Sequence, residues 1–267
     1  MSHEVSVFCP PNLVYLGRIA FGELIEFSVG NDVERIGGYM ISFPVGESTA
    51  PGYLAVPQRG EGPGVLVLHE WWGLTEPFQQ ACDRLAEAGF VALAPDLYHG
   101  KTATTVAEAE ALGAALDRDV TRWRGDITGA LRFLSHNGAT HLPDGRGAFG
   151  VVAFSLGGAY ALDMSIYLAD AIAAVVTFYA TYPGLDYRNA KATYLCQFAE
   201  DDPYVSAESA VEMEQALRTA GKQATFCTYP GTTHGFFAAN RADAYDAAAA
   251  TLAWERTVAF LNTALQP

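Results

Sequence analysis

The sequence predicts an α/β domain with a mainly parallel sheet, helices on both faces and an antiparallel edge formed by the N-terminal strands. Three observations support this prediction. From residue 64 onward, short apolar runs alternate with segments whose apolar residues recur at helical spacing. The apolar runs are continuous, which is typical of strands buried on both faces. Apolar residues make up 50% of the 267 positions, enough to fill the core of one large domain.

The first predicted elements are an antiparallel hairpin, a buried strand and a helix. Residues 39–43 and 53–56 are short apolar segments on either side of a turn rich in Gly, Ser and Pro. The continuous apolar run at residues 65–68 is the first buried strand. Residues 76–88 carry apolar side chains at helical spacing and stop before Gly89, a residue type that favours the end of a helix.

The remaining elements continue the alternation of strand and helix. Strands are predicted at residues 90–94, 148–153, 171–178, 192–198 and 224–229. Helices are predicted at residues 106–117, 119–135, 157–168, 207–220 and 242–264. Because no internal repeat or linker interrupts this order, we expect residues 38–267 to form one domain. Residues 1–37 show no clear period, and we expect an N-terminal extension packed on that domain.

Charge and composition exclude several kinds of partner. The chain has 16 basic and 30 acidic residues, a net charge of −14 that argues against nucleic acid or an anionic membrane surface. No signal-peptide pattern is visible, and no apolar run approaches the roughly 18 residues of a membrane span. The four cysteines are widely spaced without a C-x-x-C pair, which argues against a disulfide framework, and we expect Cys196 and Cys227, in apolar strand-like runs, to be core residues. These features predict a soluble, cytoplasmic protein and leave its oligomeric state open.

A candidate nucleophile lies between a predicted strand and a predicted helix. The segment Ala153-Phe154-Ser155-Leu156-Gly157 has the form of a nucleophile elbow, with Ala in place of the first Gly of G-x-S-x-G. Such a turn requires small residues two positions before and two after the serine, and Ala153 and Gly157 meet that requirement. The alternative is a small-residue turn whose serine caps the helix.

Two further residues can complete a catalytic triad. Asp202 follows the predicted strand at 192–198, and His234 follows the strand at 224–229. A serine needs a base to take its proton and an acid to orient that base. The order Ser155, Asp202, His234 and the position of each residue after a strand match the arrangement of serine hydrolases with this strand pattern. The alternative is a solvated acidic loop and a surface histidine.

The segment His69 to Gly73 follows the first buried strand. In hydrolases with this strand pattern, the loop at this position supplies one backbone amide of the oxyanion hole. We assign the two donors to the N–H groups of Trp71 and Leu156. A zinc site of the H-E-x-x-H type is excluded because Gly73 stands where the second histidine would be. The alternative for the two adjacent tryptophans is packing in the core.

Together these motifs resemble those of the dienelactone hydrolase family, over about residues 37–264. The motifs that carry the resemblance are 69–74, 95–98, the elbow, 202–205, 231–236 and 255–257. The spacings of 47 residues from Ser155 to Asp202 and of 32 from Asp202 to His234 are also similar to those of the family. The resemblance implies an α/β-hydrolase fold, and it implies that Glu70 interacts with the resting nucleophile.

The chain departs from the family pattern in two respects. The best-known members use cysteine as the nucleophile, whereas this chain has Ser155. Those members also bind a substrate carboxylate with two arginines, at positions that correspond here to Gly100 and Ala238. Lys101 and Arg241 are close in sequence but not aligned. We therefore expect neutral esters or lactones to be better substrates than a carboxylated dienelactone.

The sequence thus predicts a serine hydrolase that cleaves a small ester or lactone through an acyl-enzyme intermediate, without a metal or organic cofactor. The expected substrate-contacting side chains are mainly aromatic: Trp71, Trp72, Tyr98, Lys101, Tyr179, Tyr182, Phe236 and Phe237. Two alternatives remain open. The same triad could transfer the acyl group to another acceptor, as in an acyltransferase or perhydrolase, or the fold could be a catalytically silent scaffold that binds a ligand.

Overall fold

A computed structural model describes residues 37–141 and 149–265, which form a mainly parallel sheet with helices on both faces. Within those residues its nine strands are Tyr39–Val45 (β1), Ser48–Ala55 (β2), Gly62–Leu68 (β3), Val91–Pro95 (β4), Thr140–His141 (β5), Phe149–Phe154 (β6), Ile172–Phe178 (β7), Thr193–Asp201 (β8) and Ala224–Thr233 (β9). The predicted N-terminal extension lies outside the described residues, except for Gly37.

The strand order is β1-β2-β4-β3-β6-β7-β8-β9, and β5 pairs with β3. The pairs from β4 through β3, β6, β7 and β8 to β9 are all parallel. The pairs β1–β2 and β2–β4 are antiparallel. The predicted fold class is confirmed, including its antiparallel N-terminal edge. In a sheet of this kind ligands bind beyond the carboxyl ends of the parallel strands.

Six helices accompany the sheet within the described residues: Glu76–Glu87 (α1), Val106–Asp117 (α2), Val120–His136 (α3), Leu156–Tyr167 (α4), Ala207–Thr219 (α5) and Ala247–Leu265 (α6). Local chemistry explains several of their ends. Thr105 and Glu108 form a capping box at the start of α2, and the side chains of Asp119 and Ser206 cap α3 and α5. Gly89, with φ +95°, follows the end of α1 as predicted.

Two hydrophobic clusters cover the two faces of the sheet. One cluster includes buried residues of α2, α3, α4 and α5, and the other includes buried residues of α1 and α6. Cys196 is buried and unbridged as expected, and Cys82 is buried too, whereas Cys227 is only partly buried against the core. Among the helices in the described part of the chain, none is long and apolar enough to cross a membrane.

The last helix is shorter than the sequence predicted. It begins at Ala247 rather than at residue 242. The Asp246 side chain accepts a hydrogen bond from the Ala249 amide at 2.8 Å, which satisfies an amide of the first turn and starts the helix there. The preceding segment folds as turns in which the Ala244 and Tyr245 amides donate to the Arg241 carbonyl. These turns place Arg241 beside the functional site rather than on a helix.

Candidate active site

Ser155 lies in a strained turn between β6 and α4. Its φ of +50° and ψ of −117° are rarely adopted by a residue with a side chain. The Ser155 amide donates to the Phe178 carbonyl at the end of β7, which holds the turn against the sheet. A methyl group at Gly157 would lie 2.4 Å from the His69 carbonyl oxygen and 2.6 Å from that of Leu68. The elbow therefore requires glycine at position 157 because α4 starts directly against the end of β3.

Ser155 hydrogen-bonds to His234, and His234 hydrogen-bonds to Asp202. The distance from Ser155 Oγ to His234 Nε2 is 2.8 Å. On the other side of the ring, His234 Nδ1 lies 2.9 Å from both carboxylate oxygens of Asp202. The structure thus brings the three predicted residues together, although they are far apart in the sequence. Their order matches a nucleophile, a base and an orienting acid.

The pairing of β8 with β9 positions the acid and the base. A bulge between Ala199 and Asp201 shifts the register so that Asp201 pairs with Thr233. The Thr233 hydroxyl donates to the Asp201 carbonyl at 2.9 Å. Asp202 and His234 are the residues immediately after this pair, so their side chains meet. The two strands extend to Asp201 and Thr233 and are longer than predicted, because the bulge allows pairing to resume.

Backbone amides hold the Asp202 carboxylate in place. The amides of Tyr204 and Val205 donate to Asp202 Oδ1 at 2.9 and 3.0 Å. The Asp202 side chain is only 2% exposed, and that of His234 is 8% exposed. Tyr179 packs against the imidazole with a ring-centroid distance of 4.8 Å. The imidazole is thereby restricted to an orientation in which it contacts both Asp202 and Ser155.

A cavity of about 430 Å³ opens in front of Ser155 and His234. Trp71 and Leu156, the two predicted oxyanion donors, both line it. Leu156 is the first residue of α4, and the first N–H groups of a helix have no acceptor within the helix. Trp71 lies in a turn closed by the Gly73 amide, which donates to the Glu70 carbonyl. Both backbone segments are thus next to the nucleophile.

Glu70 is a buried carboxyl group beside this turn. Burial raises the pKa of Glu70 to about 7, and the nearby positive charge of Arg241 counteracts part of that shift. Arg241 lies over the Trp72 ring, with its guanidinium carbon 5.2 Å from the ring centroid. The same guanidinium forms two hydrogen bonds to Asp243, at 2.9 and 2.7 Å. Arg241 therefore interacts with two carboxyl groups of the protein itself.

His69 connects the end of β3 to the segment after β4. Its Nδ1–H donates to the Glu70 carbonyl at 2.7 Å, and its Nε2 accepts a hydrogen bond from the Leu97 amide at 3.1 Å. Burial lowers the pKa of His69, so the ring is held in its neutral form. Within the described residues, no group of three His, Cys, Asp or Glu side chains is arranged to hold a metal ion. His69 supports the Trp71 turn.

Several of the predicted substrate-contacting residues do not line the cavity. Phe236 and Phe237 are 0% and 5% exposed and belong to the core cluster of α1 and α6, where they pack against Phe178. Their positions directly after His234 place them under the catalytic residues, where burial of a large apolar ring is favourable. The structure therefore assigns them to the core.

The other expected contacts also lie outside the cavity lining. Tyr179 is fully buried behind His234, and Tyr98 is 3% exposed. The Trp72 ring contacts Trp71 and Arg241, and Lys101 and Tyr182 are exposed away from the lining. Of the predicted side-chain contacts, only Trp71 borders the cavity.

The cavity walls include residues that the sequence analysis did not identify. Tyr204 packs against Trp71 and His234, with centroid distances of 5.4 and 4.9 Å. One face of α2 forms the other wall, through Ala109, Glu110, Gly113, Ala114 and Asp117. Tyr204 could have been identified, since it follows Asp202 by two residues. The α2 face carries no such signal, because small and acidic residues are common on exposed helices.

A family model described as the dienelactone hydrolase family matches residues 50–265. The protein usf of Aquifex pyrophilus is 32% identical over 231 residues, which span 84% of this chain and 98% of the relative. A carboxymethylenebutenolidase of Rhodococcus opacus is 28% identical over 230 residues, spanning 81% and 87%. A dienelactone hydrolase-like promiscuous phosphotriesterase from metagenomic libraries matches the structure with a TM-score of 0.76 at 23% identity, over 85% and 98% of the two chains.

Proposed function

The chain belongs to the dienelactone hydrolase family, and on that premise we propose that it is a serine hydrolase of small esters or lactones that lack a carboxylate. The observation that carries the proposal is a pair of hydrogen bonds, from Ser155 to His234 and from His234 to Asp202. Ser155 and His234 both line the cavity. Each residue has the contact that its role requires: a nucleophile bonded to a base, and a base bonded to a buried acid.

The proposed reaction has two steps. Ser155 Oγ attacks the carbonyl carbon while His234 Nε2 takes its proton, and the amides of Trp71 and Leu156 stabilise the oxyanion. The C–O bond to the leaving alcohol then breaks, and the alcohol receives the proton from His234. In the second step His234 takes a proton from water, and the resulting hydroxide attacks the acyl-enzyme. Breakdown of that intermediate releases the acid and restores the Ser155 hydroxyl.

Among the residues that the structure describes, no Lys or Arg lines the cavity, which supports a substrate without a carboxylate. The relative from Rhodococcus opacus is named for a lactone that carries a carboxymethylene group. In this chain, Ala238 is fully buried and Arg241 is engaged by Asp243 and Glu70. Neither Lys101 nor Gly100 borders the cavity. A substrate carboxylate would therefore lack the paired guanidinium groups that best bind it.

The decisive experiment compares the wild type with Ser155→Ala. We expect kcat for a neutral ester to fall by about a million-fold while the fold persists, since the elbow accepts a small side chain. Circular dichroism and the melting temperature check the fold, and Ser135→Ala on α3 is the matched control. Residual activity above a few per cent would exclude Ser155 as the nucleophile.

The same assay separates the remaining alternatives. A burst of alcohol release from an activated ester, equal to one equivalent per enzyme, indicates an acyl-enzyme. If adding another nucleophile increases the rate and yields its acyl product in preference to the free acid, the reaction is acyl transfer. A protein without burst or turnover on a panel of neutral esters, lactones and carboxylated lactones would be a silent scaffold.

A further inference from the structure

The face of α2 that borders the cavity has carboxylates at its two ends. Glu110 and Asp117 are seven residues apart, so they lie on one side of the helix, separated by about 10 Å along its axis. Between them stand Gly113 and Ala114, whose small side chains leave space in front of the helix. The α2 wall is therefore a short groove with a negative charge at each end.

Asp117 has a defined position in this wall. The Tyr160 hydroxyl donates to Asp117 Oδ1 at 2.6 Å, and the Tyr160 ring stacks on Trp123 with a centroid distance of 4.5 Å. The Tyr98 hydroxyl lies 3.8 Å from where a methyl group on Gly113 would be, just behind the groove. Burial raises the pKa of Tyr98, and the negative charges of Asp117 and Glu70 raise it further. Asp117 therefore places a carboxylate at a fixed position in the wall of the cavity.

The opposite wall is aromatic. Trp71 and Tyr204 form an edge-to-face pair beside His234, and Tyr204 is 62% exposed. Faces of such rings attract cations, most strongly when the cation is poorly hydrated. Among the residues that line the cavity in the described part of the chain, two are carboxylates and none is Lys or Arg. The net charge of −14 adds a long-range field of the same sign.

We propose that the preferred substrate is an ester or lactone bearing a positively charged group, such as a quaternary ammonium, held between the Glu110–Asp117 face of α2 and the Trp71–Tyr204 pair. This inference rests on the proposed ester hydrolysis at Ser155 and names its substrate class. The carboxylates attract the cation, and the aromatic pair excludes water from its other side. The ester carbonyl then lies next to Ser155, which borders the same cavity.

The test uses esters that differ only in charge. One pair is acetylcholine and its carbon isostere, in which a quaternary carbon replaces the nitrogen. The second pair carries the trimethylammonium group, or its carbon isostere, at the far end of the acyl chain of a methyl ester. In at least one pair we expect kcat/KM to be about three- to ten-fold higher for the cationic ester, the size of a partly screened charge interaction. This ratio should decrease as salt is added.

Substitutions assign the preference to α2. In the double variant Glu110→Gln, Asp117→Asn, the ratio of cationic to neutral kcat/KM should fall to about one, because the amides keep the shape and remove the charge. Glu47→Gln, in the exposed turn between β1 and β2, removes the same kind of charge outside the cavity lining and should keep the wild-type ratio. Melting temperatures show whether each variant is folded.

Three outcomes would overturn the inference. Equal or lower kcat/KM for the cationic ester in both pairs excludes the cationic preference, while Ser155-dependent hydrolysis of the neutral esters would leave the proposed function standing. A preference that survives the double variant excludes Glu110 and Asp117 as its source. If Ser155→Ala hydrolyses every ester as well as the wild type does, the proposed function and this inference fail together.

Discussion

The two sides of the cavity are held in place by different kinds of contact. On one side, Ser155, Asp202 and His234 follow the ends of β6, β8 and β9, and strand pairing determines their separation. The pocket side comprises the α2 face and Tyr204, which border the cavity through side chains; of these residues Glu110, Ala114, Asp117 and Tyr204 are exposed. The catalytic geometry thus depends on the sheet, whereas the shape and charge of the pocket depend on a helix surface. A family with this fold can therefore change its substrates without moving its triad.

On the catalytic side, we expect a large loss of activity when Asp202 is replaced. In Asp202→Asn the backbone amides of Tyr204 and Val205 keep an oxygen acceptor, but the amide nitrogen cannot accept the proton of His234 Nδ1. The imidazole then favours the wrong tautomer, and kcat should fall by about ten-thousand-fold. Steady-state kinetics on a neutral ester measure this. Asp201→Asn is the control, because Asp201 accepts the Thr233 hydrogen bond with its backbone carbonyl rather than its side chain. The kcat of this variant should stay near that of the wild type. A loss below ten-fold at Asp202 would contradict the orienting role.

Glu70, the buried carboxyl next to Trp71, makes stability depend on pH. Its pKa is raised from 4.5 to about 7 in the folded protein, so folding favours the protonated carboxyl. The stabilisation is complete below pH 4.5, and it is lost as pH rises through about 7, where the folded state must ionise a buried group. The wild type should lose up to about 3 kcal/mol over this window relative to Glu70→Gln.

Urea unfolding of the two proteins between pH 4.5 and pH 8 measures the difference, with Glu47→Gln as an exposed control. The free energy of unfolding of Glu70→Gln should rise relative to that of the wild type as pH increases. A difference that is constant across the window would show that Glu70 titrates alike in the folded and unfolded states.

The close approach of the elbow to β3 predicts a smaller loss of stability. A methyl group at Gly157 would meet the carbonyl oxygens of Leu68 and His69, which cannot move without displacing the sheet. Gly157→Ala should lower the free energy of unfolding by about 1–3 kcal/mol. Gly125→Ala on α3, where the methyl would lie 3.6 Å from Val45, is the matched control and should be neutral or slightly stabilising. Equal stability of the two variants would exclude the steric argument.

The smallest effect is expected on the pocket side, at Tyr204. Tyr204→Ala keeps the backbone amide that holds Asp202 and removes the ring that packs on Trp71 and His234. KM should increase about three- to ten-fold with a smaller change in kcat, as for the loss of one aromatic contact. Tyr167→Ala, an exposed tyrosine at the end of α4, is the control. A fall in kcat larger than the rise in KM would instead place Tyr204 on the catalytic side.

The sequence by itself determined the fold class, the three triad candidates and the order of the helices and of every strand except the two-residue β5. Those predictions depend on local patterns: continuous apolar runs, the small residues around Ser155, and the position of Asp202 and His234 directly after strands. In a parallel sheet the ends of neighbouring strands lie side by side, so residues after those strands are brought together by the fold class alone.

Only the tertiary structure decided which side chains border the cavity. Phe236 and Tyr98 belong to the core, whereas Glu110 and Asp117 lie on the wall, although in the sequence aromatic residues beside motifs looked like the better pocket candidates. The bulge that pairs Asp201 with Thr233 was likewise not visible, because a single unpaired residue leaves no periodic trace. The position of α2 over Leu156 depends on the packing of distant segments. Periodicity in the sequence describes a helix but does not specify what that helix faces.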